Sequence, residues 1–350
     1  MGKLGTELIA RGSKASFVGD GFRSNSIFDL DSPRNRDNCL APFAQLREKF
    51  STIGVELNSP DLNAGLEVQF ELHLNVCKSA GFSVPSYVLL YESPQVMPIN
   101  GDAGFLERYR RVFTWRDDLV GDQRFIKLNL PNTMHVHDSR GWADRHKLCC
   151  LIAENKSIRD PSVLELYSER VKTIKWFEQF APSDFDLFGI GWDMPIAGSG
   201  LLNRALRRLH RHYPGISPAA YRPSYRGRVA SKRETMEGYR FSICYENVRD
   251  LPGYITEKIW DSFFAGCLPV YWGASNVTTY IPGDCFIDRR QFADNAALYN
   301  FLVSMTESEY IAYQERIAAF LTGDRARLFG AEAFAETVVK TIASDLATAV

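Results

Sequence analysis

Two short stretches hold most of the residues that could do chemistry. The first reads Tyr245-Glu246-Asn247 and resumes at Gly253-Tyr254-Ile255-Thr256-Glu257-Lys258. Tyr239–Tyr245 is apolar enough to be a strand ending there, and Pro252-Gly253 marks a turn. Ile255, Ile259 and Phe263 then recur at helical spacing, and Gly266 stands just past the helix end. Strand, turn and helix in that order leave backbone N–H groups and the positive end of a helix dipole at one spot, where an anion belongs. Lys258 in the first turn adds a charge suited to phosphate, and Glu257 could accept from the hydroxyls of a sugar. A solvated first turn is the plain alternative. The second stretch is Glu92, after the apolar run Tyr87–Tyr91 and two residues before Pro94. A carboxylate at the end of a buried strand can take a proton as general base, or merely close the strand by hydrogen bonding. There is no G-x-x-x-x-G-K-[ST] and no G-x-G-x-x-G, so neither a Walker nucleotide site nor a dinucleotide site is supported.

The rest of the chain must position these groups. It has 350 residues, which suggests two domains. At 45% hydrophobic and 24% charged it reads as globular, not disordered. Its 41 basic and 42 acidic residues leave a net charge of −1, with no global pull toward nucleic acid. In the first half, strand patterns at Ser16–Gly19, Gly54–Leu57, Leu66–Val76, Tyr87–Tyr91 and Arg111–Trp115 alternate with a helix at Pro42–Phe50. The pattern restarts with strands at Lys147–Ala153, Phe185–Gly189, Tyr239–Tyr245 and Cys267–Trp272. Helices are expected at Leu164–Phe180, Tyr254–Ala265, Glu307–Leu321 and Ala331–Ala349. Two α/β units are therefore expected, with a cleft facing the carboxyl ends of their strands.

The run Tyr239-Arg-Phe-Ser-Ile-Cys-Tyr-Glu-Asn247, Gly253-Tyr-Ile-Thr-Glu-Lys-Ile-Trp260 and Ala265-Gly-Cys-Leu-Pro-Val-Tyr-Trp-Gly273 resembles the α-1,3/1,4-fucosyltransferases, glycosyltransferase family ten. Ile287-Asp288 and Phe292 fit as well, and the likeness thins toward the N-terminus. The resemblance implies a GT-B fold of two Rossmann-like domains. Residues 1–145 would bind the acceptor and 146–350 would bind GDP-fucose, with the last helix returning to the N-terminal domain. It implies an inverting transfer of L-fucose from GDP-β-L-fucose to a glycan hydroxyl, with GlcNAc or Glc of a galactosylated glycan receiving an α-1,3 or α-1,4 linkage. Carried over, Glu246, Asn247, Tyr254 and Thr256 would line the donor site. Glu257 would hold sugar hydroxyls, and Lys258 a phosphate. Arg170 would clamp the diphosphate, with Arg159 competing for that role. Glu92 would be the catalytic base. Another inverting transferase with a different nucleotide sugar, or a non-catalytic glycan-binding protein, are the rival readings.

No obligatory metal or other cofactor is expected. Asp29-Leu-Asp31 and Asp184-Phe-Asp186 match a D-x-D pattern, but such pairs are common by chance. His135/His137 and His210/His212 have no third ligand nearby in the sequence. Seven cysteines, an odd number without C-x-x-C, read as reduced thiols of a cytoplasmic protein. The likeness is to soluble bacterial members, which act on lipopolysaccharide or other surface glycans from the cytosolic side. The basic run Arg204–His212 reads as a solvated helix face, with peripheral contact to a membrane or an anionic glycan as the alternative.

Overall fold

The computed structural model describes residues 12–136, 141–157, 164–194, 201–213 and 222–348. Its contacts divide the chain into two compact units. The first comprises the chain up to Met134, the segment Pro252–Tyr254 and the stretch from Asp324 onward; the second comprises His135–Leu251 and Ile255–Gly323. The sequence suggested a boundary near residue 145, with the last helix returning to the first domain. In the structure the first unit closes at Met134 and takes in Pro252–Tyr254 as well as the stretch from Asp324 onward.

The first unit is built on a parallel sheet of β1 (Ser13–Val18), β2 (Val55–Asn58), β3 (Glu71–Leu74), β4 (Ser86–Leu90), β5 (Arg111–Thr114) and β6 (Phe125–Lys127), in the order β2-β1-β3-β4-β5-β6. β4 is buried along its whole length, as its unbroken apolar run demands of a central parallel strand. The helices Ala41–Thr52 and Ala331–Ala347 share a core with the sheet, where Phe43 meets Phe334 edge-on at 6.1 Å. The C-terminal helix is fixed further by Asp345, which accepts from Arg111 Nε at 2.8 Å and Nη2 at 2.5 Å. The chain turns one way from β1 to β2 and the other way from β3 onward, so the switch in strand order lies between β1 and β3.

The second unit carries β7 (Lys147–Ile152), β8 (Phe185–Phe188), β9 (Tyr239–Tyr245), β10 (Leu268–Trp272) and β11 (Ile287–Asp288), parallel and in the order β11-β10-β9-β7-β8. Here the switch lies between β7 and β9. β9 and β10 run in register, so Tyr245 and Trp272 end side by side. Just beyond those carboxyl ends, open α/β sheets hold their ligands. Gly189 closes β8 at φ +126°, with no room for a side chain, because a Cβ would lie 1.9 Å from the Ala153 carbonyl oxygen. The structure thus has the two parallel α/β units expected of a GT-B fold. No described helix is long and apolar enough to cross a membrane.

Candidate functional site

The helix Glu257–Phe264 starts three residues later than its apolar spacing suggested. Ile259 and Phe263 are fully buried as expected, and Gly266 follows the helix at φ +59°. Thr256 is the N-cap, in extended conformation, yet its side chain makes no capping bond to the helix. Its partner is Glu246 instead. The Thr256 backbone N–H donates to Glu246 Oε1 at 2.8 Å, and the Thr256 hydroxyl donates to Oε2 at 2.7 Å. The Tyr271 hydroxyl reaches Oε1 at 3.5 Å. Gly273 leaves space for this group, since a Cβ there would lie 2.4 Å from both Glu246 Cγ and the Tyr271 oxygen.

Lys258 completes the cluster. Its ammonium donates to Thr256 Oγ1 at 3.0 Å and lies 3.4 Å from a carboxylate oxygen of both Glu246 and Glu257. Burial works against the Lys258 charge, but Glu257 and Glu246 outweigh it and hold its pKa above the ordinary value. Glu246 is fully buried, which pushes its carboxyl up against the pull of Lys258. For Glu257, crowding also opposes charge. Lys258 and Lys232 more than offset this and leave it below its ordinary value, and solvent weakens their pull because half the side chain is exposed. Lys232 is itself paired with Asp261 at 2.7 Å.

Arg170 lies on the helix Tyr167–Phe180 and is buried at 4% exposure. Its Nε and Nη2 donate to the Tyr245 carbonyl at 3.2 and 2.6 Å, and Nη2 also reaches Asn247 Oδ1 at 3.1 Å. Its charge adds repulsion at Lys258. The guanidinium thus caps the carboxyl end of β9. The structure brings Arg170, Glu246, Asn247, Thr256, Glu257 and Lys258 together in one place.

Tyr254 belongs to the first unit, buried to 1%, with its ring 4.6 Å from that of Trp115. Gly253, at φ +81°, lets the chain into this seat, for a Cβ would lie 2.2 Å from the Trp115 carbonyl oxygen. Glu92 also lies in the first unit, half-buried, two residues past the end of β4. Arg159 and His137 fall outside the described residues.

Asp186 is committed to protein. It accepts from Lys147 Nζ at 2.9 Å, Arg226 Nε at 2.6 Å and the Tyr239 hydroxyl at 2.6 Å, and Asp184 accepts from the Tyr299 hydroxyl at 2.7 Å. Asp29 closes a turn onto the Asp31 N–H at 3.0 Å. Among the described residues, no group of three or more His, Cys, Asp or Glu side chains could hold a metal ion. Sequence reasoning missed Tyr271 as a partner of Glu246. It also missed the asparagines that hold Glu92 in place, Asn75 and Asn100. Gly273 was visible as the glycine closing the Pro-Val-Tyr-Trp-Gly run, though its reason was not.

Residues 219–319 match the model of the C-terminal domain of glycosyltransferase family 10 (fucosyltransferase). The chain is 29% identical over 169 residues to α-(1,3)-fucosyltransferase 7 of Mus musculus, covering 46% of this chain and 35% of that protein. It is 36% identical over 64 residues to the α-(1,3)-fucosyltransferase FucT of Helicobacter pylori, covering 18% of this chain and 13% of that one. The matched part thus spans about a third or less of these relatives' length. In fold, the chain is similar to a crystal structure of an α1,3-fucosyltransferase with GDP, with a TM-score of 0.52 at 13% identity over 96% of this chain and 92% of that one. It is similar also to Anabaena HepE in complex with UDP-glucose, with a TM-score of 0.55 at 12% identity over 95% and 99%. The matched segment holds the strand end, the glycine and the helix start that build the cluster, and over that segment the chain is similar to glycosyltransferase family 10.

Proposed function

We propose that this protein transfers L-fucose from GDP-β-L-fucose to a hydroxyl of a glycan, in α-1,3 or α-1,4 linkage and with inversion. The observation that carries the reading is the cluster at the end of β9. A buried carboxylate holds the start of a helix, one ammonium sits in its first turn, and one guanidinium lies on the neighbouring carbonyl. That is a site for a diphosphate whose charge grows as it leaves. In the proposed step the acceptor oxygen attacks the anomeric carbon and the bond from that carbon to the β-phosphate oxygen breaks. The electron pair departs with GDP, toward Lys258, Arg170 and the helix start. Glu92 takes the acceptor proton, and an α-L-fucoside results. Glu257, half exposed beside Lys258, would accept from fucose or ribose hydroxyls.

The acceptor in this reading is a GlcNAc- or Glc-containing oligosaccharide or glycolipid met in the cytosol. Supporting that compartment, all seven cysteines are free thiols and five of them are buried. The first experiment is a donor screen on an acceptor array, with wild type beside Glu92→Gln. Gln keeps the size of the side chain but cannot take a proton, so transfer should fall about 10²–10⁴-fold while GDP still binds. Transfer from another nucleotide sugar and not from GDP-fucose would overturn the donor assignment. Near-normal turnover of Glu92→Gln would overturn the base. GDP-fucose hydrolysis that no acceptor accelerates would favour a protein that binds glycans without modifying them.

A further inference from the structure

The main chain at Glu92 is held by two asparagine side chains that also hold each other. Asn75 follows β3, at the switch in strand order, and its left-handed conformation (φ +64°) is one that asparagine tolerates. Its N–H donates to the Leu89 carbonyl at 2.8 Å, which extends the β3–β4 pairing by one residue. Its Oδ1 then accepts three bonds: from the Tyr91 N–H at 2.9 Å, the Glu92 N–H at 3.0 Å and Asn100 Nδ2 at 2.8 Å. Asn100 is fully buried in the short helical turn Pro98–Gly101. Its Nδ2 also donates to the Glu92 carbonyl at 2.9 Å, and its Oδ1 accepts from the Val76 N–H at 3.0 Å.

The amide orientations follow from the partners. Backbone N–H groups can only donate, so oxygen must face Val76 from Asn100 and face Tyr91 and Glu92 from Asn75. Both polar groups of the Glu92 backbone are thereby fixed by side chains from two other segments. The loop is pressed in place as well, since a Cβ on Gly101 would lie 2.9 Å from Pro94 Cβ.

A sheet needs none of this to end. A strand can fray into a loop whose N–H and C=O groups meet water. Here one buried amide, Asn100, and one half-buried amide, Asn75, take the place of water at the one residue read as the base. We infer that Asn75 and Asn100 are positioning residues for Glu92, setting the direction in which its carboxylate leaves the end of β4. The inference rests on the reading of Glu92 as the base. The bonds set an asymmetry between the two asparagines, and the split between kcat and acceptor KM tells positioning from a merely structural role. Every side-chain bond of Asn75 uses its oxygen as acceptor, so Asn75→Asp keeps all three. Asn100→Asp keeps the acceptor for Val76 but removes the amide protons that reach Asn75 and the Glu92 carbonyl. Asn75→Gly keeps the left-handed backbone and removes the side-chain oxygen.

The test measures kcat, acceptor KM, GDP affinity and melting temperature for these three variants, for Glu92→Gln and for Glu92→Gln combined with Asn75→Gly. Asn75→Gly and Asn100→Asp should lower kcat by about 10–100-fold, the scale of a displaced catalytic group, with acceptor KM and GDP affinity changed far less. Asn75→Asp should stay within a few-fold of wild type. In the Glu92→Gln background, Asn75→Gly should cost almost nothing further, because the group it positions is already disabled. Wild-type kcat in folded Asn75→Gly, equal damage from both Asp variants, or a full multiplicative loss in the double variant would each overturn the inference. Should Asn75→Gly fail to fold, the two Asp variants carry the comparison. If Glu92→Gln itself keeps its turnover, the base reading fails and takes this inference with it. If Glu92→Gln is disabled and the asparagine variants are normal, this inference alone fails.

Discussion

Lys258→Ala should separate two duties that one ammonium performs. The side chain is 21% exposed and serves Glu246 and Glu257, each at 3.4 Å. If it also meets a phosphate of the donor, its removal deletes a charge-assisted hydrogen bond worth about 1.5–3 kcal/mol, which is about 10- to 150-fold in GDP affinity. Inside the protein, the change strands Glu246 with no accessible surface and no cation. An uncompensated buried charge costs about 3–5 kcal/mol, and the two bonds from Thr256 bring the expected loss near neutral pH to about 2–3 kcal/mol.

The pH dependence of that loss identifies its source. Burial already raises the Glu246 carboxyl, and without Lys258 its folded-state pKa rises further above the unfolded value. Between the two values the folded variant holds a proton that the unfolded chain has released. Stability therefore falls as pH rises through that window and reaches its floor above the folded-state pKa. Chemical denaturation should show a small penalty at about pH 4–5 and the full one at about pH 8, with GDP affinity followed by calorimetry at both. Unchanged GDP affinity would mean the helix start is not the phosphate site. A penalty equal at both pH values would mean that Glu246 and Lys258 do not titrate against each other.

Gly273→Ala should destabilise the protein by about 1–3 kcal/mol and weaken GDP binding, since its methyl would collide with Glu246 and Tyr271; a normal melting curve with normal GDP affinity would refute this. Asp186 is held below its ordinary value of 3.8, because the Tyr239 hydroxyl, Lys147 and Arg226 together outweigh its burial. Its contribution is present above that value and is lost as pH falls through the lowered one. Asp186→Asn should thus cost about 1–3 kcal/mol at neutral pH, with the gap to wild type narrowing as the pH falls below 3.8; a gap that stays constant in acid would contradict the assignment. Transfer should survive excess EDTA, because Asp186 and Asp184 already serve protein partners. Loss of activity on chelation, with recovery on adding Mn²⁺, would reopen the other aspartate pair.

The elements were legible where periodicity and capping agree. Tyr239–Tyr245 is a strand over the residues its apolar run marked, and Glu307–Leu321 is a helix over its expected span, set at its start by reciprocal bonds between Thr306 and Glu309. β6 and β11 went unnoticed because three and two residues carry no period. The late start of the helix Glu257–Phe264 has a cause far off in the sequence. Gly253 and Tyr254 are taken up by the Trp115 ring and carbonyl, and no pattern local to residues 250–260 encodes that. The same holds at Glu92. Its place after an apolar strand could be read directly, but its supports come from Asn75 and Asn100, which stand 17 positions before it and 8 after it. Asparagines in polar loops are common, and only the fold selects the two that bond this backbone.

The same distinction bears on Glu246. From the motif alone it is one more polar residue beside a nucleotide site. With no exposed surface, and both oxygens bonded to Thr256, it cannot reach a donor without breaking the structure it supports. Its effect must pass through its neighbours. It fixes the residue from which the helix starts, and, second to Glu257, it helps keep the Lys258 ammonium charged at a place where burial alone would favour the neutral amine. A phosphate arriving there would compete with Glu246 and Glu257 for one cation, so the cluster is balanced and not simply attractive. Two carboxylates facing one ammonium leave a net negative charge, which Arg170 on the adjacent carbonyl brings back to neutral. In the proposed donor reading, such a balance would let a diphosphate bind without holding it so tightly that release of GDP becomes the slow step. That is a use for acidic residues in an anion site that phosphate affinity alone would not explain.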